Sequence, residues 1–300
     1  MKIGIIGGGS IGLLFAFYLN QVHDVVLYVR TQQQKENLET NGLLMQKGDV
    51  SSRTILKTKV ISKWEGANED LTIICVKQYQ LKDLIHSVSF AQSPRLLFLQ
   101  NGMGHLKWLE GLKAKNIYVG TVEHGAYRLS NYTVSHTGSG KTNLAVYKGV
   151  HDEAFFSEFT EPLKGNFPFV IEGDYKEMLT RKFIVNCVIN PLTAALKVPN
   201  GELLSNTYYL QIFNRLFKEI SVILQIENDD AYYENLVGVC KSTALNRSSM
   251  LKDLEENRPT EIDAILGYLL EEARSKKMEA PLVHTFYHLI KGSEIQGEVN

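Results

Sequence analysis

Short apolar runs alternate with helix-patterned ones along the first part of the chain. KIGIIG opens it as a strand, and IGLLFAFYLN follows as a helix apolar on nearly every side. DVVLYVR, LTIICVK and PRLLFLQN read as further strands, and NIYVGTVEHGAYRL brings a fifth. Strands apolar on both faces, separated by helical segments, predict a parallel sheet covered on both sides. Beyond residue 120 the stretch GAYRLSNYTVSHTGSGKTNLAVY is rich in Tyr, Val and Thr with Gly, Ser and Asn turns. It predicts antiparallel strands added to that sheet.

From about residue 174 apolar positions recur every three and four residues. YKEMLTRKFIVNCVIN, YYLQIFNRLFKEISVILQI, YYENLVGVCKSTALN and TEIDAILGYLLEEARSKK are therefore helices. The shift near FPFVIEGDYKEM marks the expected boundary, with an α/β domain over residues 1–173 and an all-α domain over 174–300. No internal repeat interrupts this order.

Composition narrows the class. The chain has 300 residues, 44% of them hydrophobic, enough for a substantial core and for two domains. Lys plus Arg number 32 against 33 Asp plus Glu, so the broad positive field of a nucleic-acid binder is lacking. Cys75, Cys187 and Cys240 are odd in number, far apart and in apolar surroundings. A disulfide framework or zinc site is not expected, which fits a reducing compartment. The uncharged run after Lys2 is broken by glycines, is short for a membrane span, and has no cleavage site in the following NQVHD. A soluble cytoplasmic protein is expected, with no membrane partner.

Candidate chemistry begins at GIIGGGSIG. Gly7, Gly9 and Gly12 form G-x-G-x-x-G between a strand and an apolar helix, with Ser10 and Ile11 inside the motif. The first glycine makes a tight turn, the second lets a pyrophosphate approach, and the third permits close packing. The helix N-terminus favours the phosphate charge. The other reading is a purely structural turn. NAD enzymes usually carry Asp or Glu at the end of the second strand. Here LYVRTQQQK places Arg30 there, and no carboxylate follows until Glu36. Arginine suits a 2′-phosphate, so NADP is favoured; an ordinary exposed arginine is the alternative. Lys77 follows TIICV and Asn101 follows LLFLQ. With the glycine turn and Arg30 they fall after successive strands, at the edge where open α/β sheets bind ligands.

A second signal is TRKFIVNCVINPLTA. Lys182, Asn186 and Asn190 are four residues apart and form a polar stripe on an otherwise apolar helix. Buried amides must find partners, since each unpaired group costs about 1–3 kcal/mol. A water-filled cleft between domains would supply them; neighbouring backbone is the alternative. Pro191 disfavours α geometry at Asn190 and is expected to disturb the helix there. In NRSSMLKDLEENRPTEID, Asn246 and Ser249 are candidate turn residues. Glu261 is expected in the first turn of the last long helix, where it would stabilise the helix dipole without any other role. His284 and His288 are four apart but lack a third ligand, so no metal site is expected.

These stretches, with QNGMG and PNGEL, resemble the ketopantoate reductase (2-dehydropantoate 2-reductase) family over nearly the whole chain. The resemblance implies an N-terminal Rossmann-type domain for NADPH. It also implies an α-helical C-terminal domain like that of the 6-phosphogluconate dehydrogenase group. Lys182 then matches the catalytic lysine, Glu261 the active-site acid, and Asn101 the asparagine near the nicotinamide. Asn186, Asn190 and Ser249 match substrate-binding positions, and Asn200 and Asn246 further polar residues of the site. Gly7, Gly9, Ser10, Ile11, Gly12, Arg30 and Lys77 match cofactor positions. Glu123 stands where a smaller or neutral residue is expected. The implied reaction is NADPH-dependent reduction of 2-dehydropantoate to pantoate in pantothenate and coenzyme A biosynthesis. The partner is then a small 2-oxo acid, and a homodimer is an open alternative to a monomer. Two rivals stand beside this: a reductase of another branched 2-oxo acid on the same fold, and an NADP-binding sensor without turnover.

Overall fold

The computed structural model describes residues 1–66 and 68–299. The strands are β1 (Lys2–Ile6), β2 (Asp24–Val29), β3 (Leu43–Lys47), β4 (Val50–Thr54), β5 (Lys57–Val60), β6 (Leu71–Ile74), β7 (Arg95–Phe98), β8 (Asn116–Val122), β9 (Gly125–Arg128), β10 (Thr133–Gly138), β11 (Thr142–Lys148) and β12 (Phe169–Glu172). Eight form one sheet in the order β12-β11-β8-β7-β6-β1-β2-β5. From β8 through β5 all pairings are parallel; β11 joins β8 antiparallel, and β12 runs parallel to β11.

The later strands depart from expectation. Only β11 of the Tyr-, Val- and Thr-rich stretch joins the main sheet. β9 and β10 belong to a second sheet of order β4-β3-β10-β9. The reason lies in the helix Ser10–Leu19, whose residues from Gly12 onward are all buried. It packs against β1 and β2 on one side and against β3, β9 and β10 on the other. A helix apolar all round needs a cover on both faces, and the second sheet provides the outer one. Leu43, Met45 and Val134 of that sheet share a core with Phe15, Phe17 and Tyr18 of the helix.

Residues 1–100 and 106–178 make one compact unit; residues 101–105 and 179–300 make another. The second unit is helical. Its core joins Phe183, Ile184 and Val188 to Phe213, Leu216, Ile220, Ile265 and Ile290. The helix Tyr175–Leu196 runs unbroken through Pro191. The expected disturbance at Asn190 does not occur: Ile189, Leu192 and Ala194 are all buried. Their burial holds α geometry against the local preference of the residue before proline. All three cysteines are free. No helix among the described residues is long and apolar enough to cross a membrane.

Candidate active site

Parallel register aligns the carboxyl ends of three central strands, with Ile6 opposite Ile74 and Tyr28. β1 lies between β6 and β2, where chain connections leave in opposite directions. Ligands of open α/β sheets bind at this point. Gly7, Arg30 and Lys77 each follow one of the three ends.

The glycine turn has the geometry a dinucleotide needs. Gly7 sits at φ +117°, a backbone region L side chains rarely adopt. A Cβ on Gly12 would lie 1.8 Å from the Gly7 carbonyl oxygen, so turn and helix touch there. A Cβ on Gly9 would meet nothing within 4 Å, which leaves an open approach to the loop. Gly9 also caps the helix Ser10–Leu19 without side-chain help. The first N–H groups of that helix are therefore available to an anion. Ile11 is partly buried against the core of this unit. These features fit a bound pyrophosphate.

Arg30 is exposed directly after β2. Thr31 then caps the helix Gln32–Asn41, its hydroxyl accepting from the Gln34 N–H at 3.2 Å. Lys77 is half-buried at the N-cap of the helix Gln78–Ser87, where its N–H donates to Gln80 Oε1 at 3.3 Å. Gln100 donates to the carbonyls of Ile74 and Val76 at 3.0 and 2.9 Å, tying down the end of β6. Glu123, the unexpected acid, ends this unit's β8 region and accepts from Asn143 Nδ2 at 2.8 Å.

Asn101, the fourth strand-end residue, groups by its contacts with the helical unit. Its Nδ2 donates to Glu261 Oε2 at 3.0 Å. Gly102 makes this approach possible. It has φ +81°, and a Cβ there would lie 2.4 Å from the Ala264 carbonyl oxygen. Glu261 is not in the last long helix, because Pro281–Val299 follows later. It sits in the bend before a π-helical turn, Asp263–Gly267, that leads into the helix Tyr268–Ser275. Such turns are rare and recur at functional sites. Glu261 thus holds a specific side-chain partner besides any contribution to the helix dipole. Gly102→Ala is expected to cost about 1–3 kcal/mol and to part Asn101 from Glu261. Thermal unfolding beside Asn101→Ala checks this, since that change leaves the backbone alone; a wild-type melting profile for Gly102→Ala would refute it.

On the long helix Lys182 is half-buried, while Asn186 and Asn190 are only 6% and 8% exposed. Neither amide finds a hydrogen-bond partner among the described residues. One turn on, Thr193 donates to Ser248 Oγ at 2.8 Å, and Ser248 caps the helix Ser249–Glu255. This bond brings Ser249, itself exposed, to the end of the stripe. Asn200 and Asn246 tie the preceding loop: the Asn200 N–H donates to the Asn246 carbonyl at 2.9 Å, and Asn200 Nδ2 to Thr243 Oγ1 at 2.9 Å. Thr193, Ser248 and the π turn were not singled out from the sequence. His284 and His288 stack at 4.2 Å, and no group of three metal-ligating side chains occurs among the described residues.

A glycine-rich turn on a parallel sheet, with a helical second unit, defines a Rossmann-type α/β protein with a helical C-terminal part. The chain belongs to the ketopantoate reductase family. Residues 3–149 match "Ketopantoate reductase PanE/ApbA", and residues 174–294 match "Ketopantoate reductase PanE/ApbA C terminal". It is 41% identical over 295 residues to 2-dehydropantoate 2-reductase of Bacillus subtilis (strain 168), covering 98% of each chain. The crystal structure of probable 2-dehydropantoate 2-reductase from Bacillus subtilis superposes with a TM-score of 0.89 at 40% identity, over 98% of this chain and 100% of that one. The ternary structure of D-mandelate dehydrogenase with NADH and anilino(oxo)acetate gives 0.86 at 25% identity, over the whole of both chains.

Proposed function

We propose that this chain reduces 2-dehydropantoate to pantoate with NADPH, in the cytoplasm, as a step of pantothenate and coenzyme A biosynthesis. The observation that carries the reading is the stripe: Lys182 beside two nearly buried amides that have no hydrogen-bond partner among the described residues. Residues this buried whose amides still reach solvent fit a site where a ligand takes the place of water. Membership of the ketopantoate reductase family and the 41% identity to a 2-dehydropantoate 2-reductase support the choice of substrate.

When bound, NADPH supplies a hydride to the C2 carbonyl carbon of the substrate. Gly7, Gly9, Ser10, Ile11 and Gly12 hold its pyrophosphate, Arg30 its 2′-phosphate, and Lys77 and Asn101 its nicotinamide half. The Lys182 ammonium stabilises the charge that grows on the ketone oxygen and donates the proton that completes the hydroxyl. Asn186, Asn190 and Ser249 hold the carboxylate and hydroxyl of the substrate. Asn200 and Asn246 set the loop that leads to Ser249. Glu261, steadied by Asn101, uses its remaining oxygen to orient Lys182 or a substrate hydroxyl.

A second reading, a reductase for a different branched 2-oxo acid, is favoured by the likeness to D-mandelate dehydrogenase. The discriminating experiment is oxidation of NADPH and of NADH against a panel of branched and aromatic 2-oxo acids that includes 2-dehydropantoate. The highest kcat/KM is expected for 2-dehydropantoate with NADPH. A higher value for another acid would favour the second reading, and no turnover with any acid would leave only the sensor. Arg30→Ala is expected to weaken NADPH by about 10–150-fold, the worth of one charge-assisted contact, while sparing NADH. Equal wild-type efficiency with the two cofactors would remove Arg30 from this role.

A further inference from the structure

Arg128 belongs to no motif of the sequence, yet the structure sets it against the glycine-rich turn. It is the last residue of β9 and pairs with Val134 of β10. Its backbone N–H donates to Ser10 Oγ at 3.1 Å, and its guanidinium donates to the Gly8 carbonyl at 3.3 Å. Gln34 Nε2 donates to the same carbonyl at 2.8 Å, from the side of the helix Gln32–Asn41. The turn is thus braced from both sides, while the space beside Gly9 stays open.

The bracing does not use the charge. A guanidinium has five N–H donors and a full positive charge, and the Gly8 carbonyl is neutral and engages one of those five donors. Among the described residues no carboxylate pairs with Arg128, and the side chain is exposed. We infer that Arg128 binds the cofactor's pyrophosphate, closing over the glycine turn from the second sheet. The inference rests on the dinucleotide reading of that turn. It concerns the pyrophosphate rather than the 2′-phosphate, because Arg128 bonds to the turn between the first glycine and the helix N-terminus. The pyrophosphate lies there, whereas a 2′-phosphate lies past the end of the second strand, at Arg30. It also assigns a purpose to the second sheet, which presents a cation to the loop.

The test is equilibrium binding of NADPH and of NADH, by fluorescence titration or calorimetry, to the wild type, Arg128→Ala, Arg128→Gln and Arg30→Ala. The pyrophosphate is common to both cofactors. Both Arg128 variants should therefore lose about 10–100-fold for each, leaving the NADPH/NADH ratio unchanged. Arg30→Ala should alter the ratio instead. Arg128→Gln keeps a donor for the Gly8 carbonyl and guards against a loop that merely loosens; its binding both cofactors within twofold of wild type would overturn the inference. A loss confined to NADPH would overturn it too, moving Arg128 to the 2′-phosphate. Failure of the wild type to bind either dinucleotide would instead overturn the reading of the glycine turn itself.

Discussion

Lys182→Ala should leave a folded protein that binds NADPH normally and turns over about 10²–10⁴-fold more slowly, the usual consequence of losing a positioned acid. The expectation follows from where the ammonium sits. It is half-buried on the helix Tyr175–Leu196, four residues before an amide that is nearly buried and has no hydrogen-bond partner among the described residues. A cation there meets the charge that develops when a ketone accepts hydride. Losing an interaction that is stronger in the transition state than in the ground state lowers kcat rather than raising KM. Asn186→Ala should do the reverse and act mainly on KM, because its amide binds groups whose charge does not change. The measurement is steady-state reduction of 2-dehydropantoate by both variants, with NADPH affinity titrated separately. If Lys182 were an ordinary helix residue, its loss would change stability by less than about 0.5 kcal/mol and activity little. Near-normal turnover by a folded Lys182→Ala protein would return the stripe to a structural role.

Many of the candidate residues could be picked out from the chain because their signals are local. The glycine turn, Arg30 and Lys77 each sit directly after an apolar strand, and parallel strands must place such residues at one edge. Spacing alone shows the polar stripe but leaves a solvated, backbone-bonded face as an equal alternative to a substrate-facing one. What escaped depended on partners distant in sequence. Leu43–Lys47 and Val50–Thr54 carry exposed Gln, Lys, Ser and Arg residues, so their alternation is faint. Gly48, at φ +57° between them, was the available turn signal. The second sheet that they form explains why the helix Ser10–Leu19 is apolar all round, a feature visible in the sequence without its cause. Arg128 looks like any exposed arginine until β9 is laid against the glycine turn. Asn101 reads as a strand-end residue, yet its bond to Glu261 spans 160 positions and needs the positive φ of Gly102. Pro191 shows the opposite error: a local rule that predicted disturbance yields to burial on both sides of it.

Acid should destabilise both units, through histidines held neutral by burial. His105 is fully buried, neither ring nitrogen has a hydrogen-bond partner among the described residues, and burial pushes its pKa down to about 4. His124 is also pushed down to about 4, chiefly by burial and further by neighbouring His136 and Lys47. Its ring stacks on Phe167 at 4.1 Å, and its Nδ1 accepts from the Gly140 N–H at 3.1 Å, a bond that protonation of Nδ1 would break. His136, bonded to the Tyr18 hydroxyl at 2.8 Å, is lowered by burial and by Lys47. In each case the folded pKa lies below the unfolded one. The unfolded chain therefore takes up these protons first, and stability falls as pH drops below about 6.5, down to about 4. A fall from the ordinary 6.5 to about 4 corresponds to about 3 kcal/mol for each of His105 and His124. His105 belongs to one compact unit and His124 to the other, so each should lose about that much. Denaturant titrations at pH 7.5, 5.5 and 4.5 should show the decline, and His124→Gln should flatten it for the α/β unit alone. Proton resonances of the two imidazole rings should stay fixed from pH 8 to about 5, because neither ring titrates while the protein is folded. A titration midpoint near 6.5 for either ring would contradict its burial as a neutral group and remove its share of the acid sensitivity.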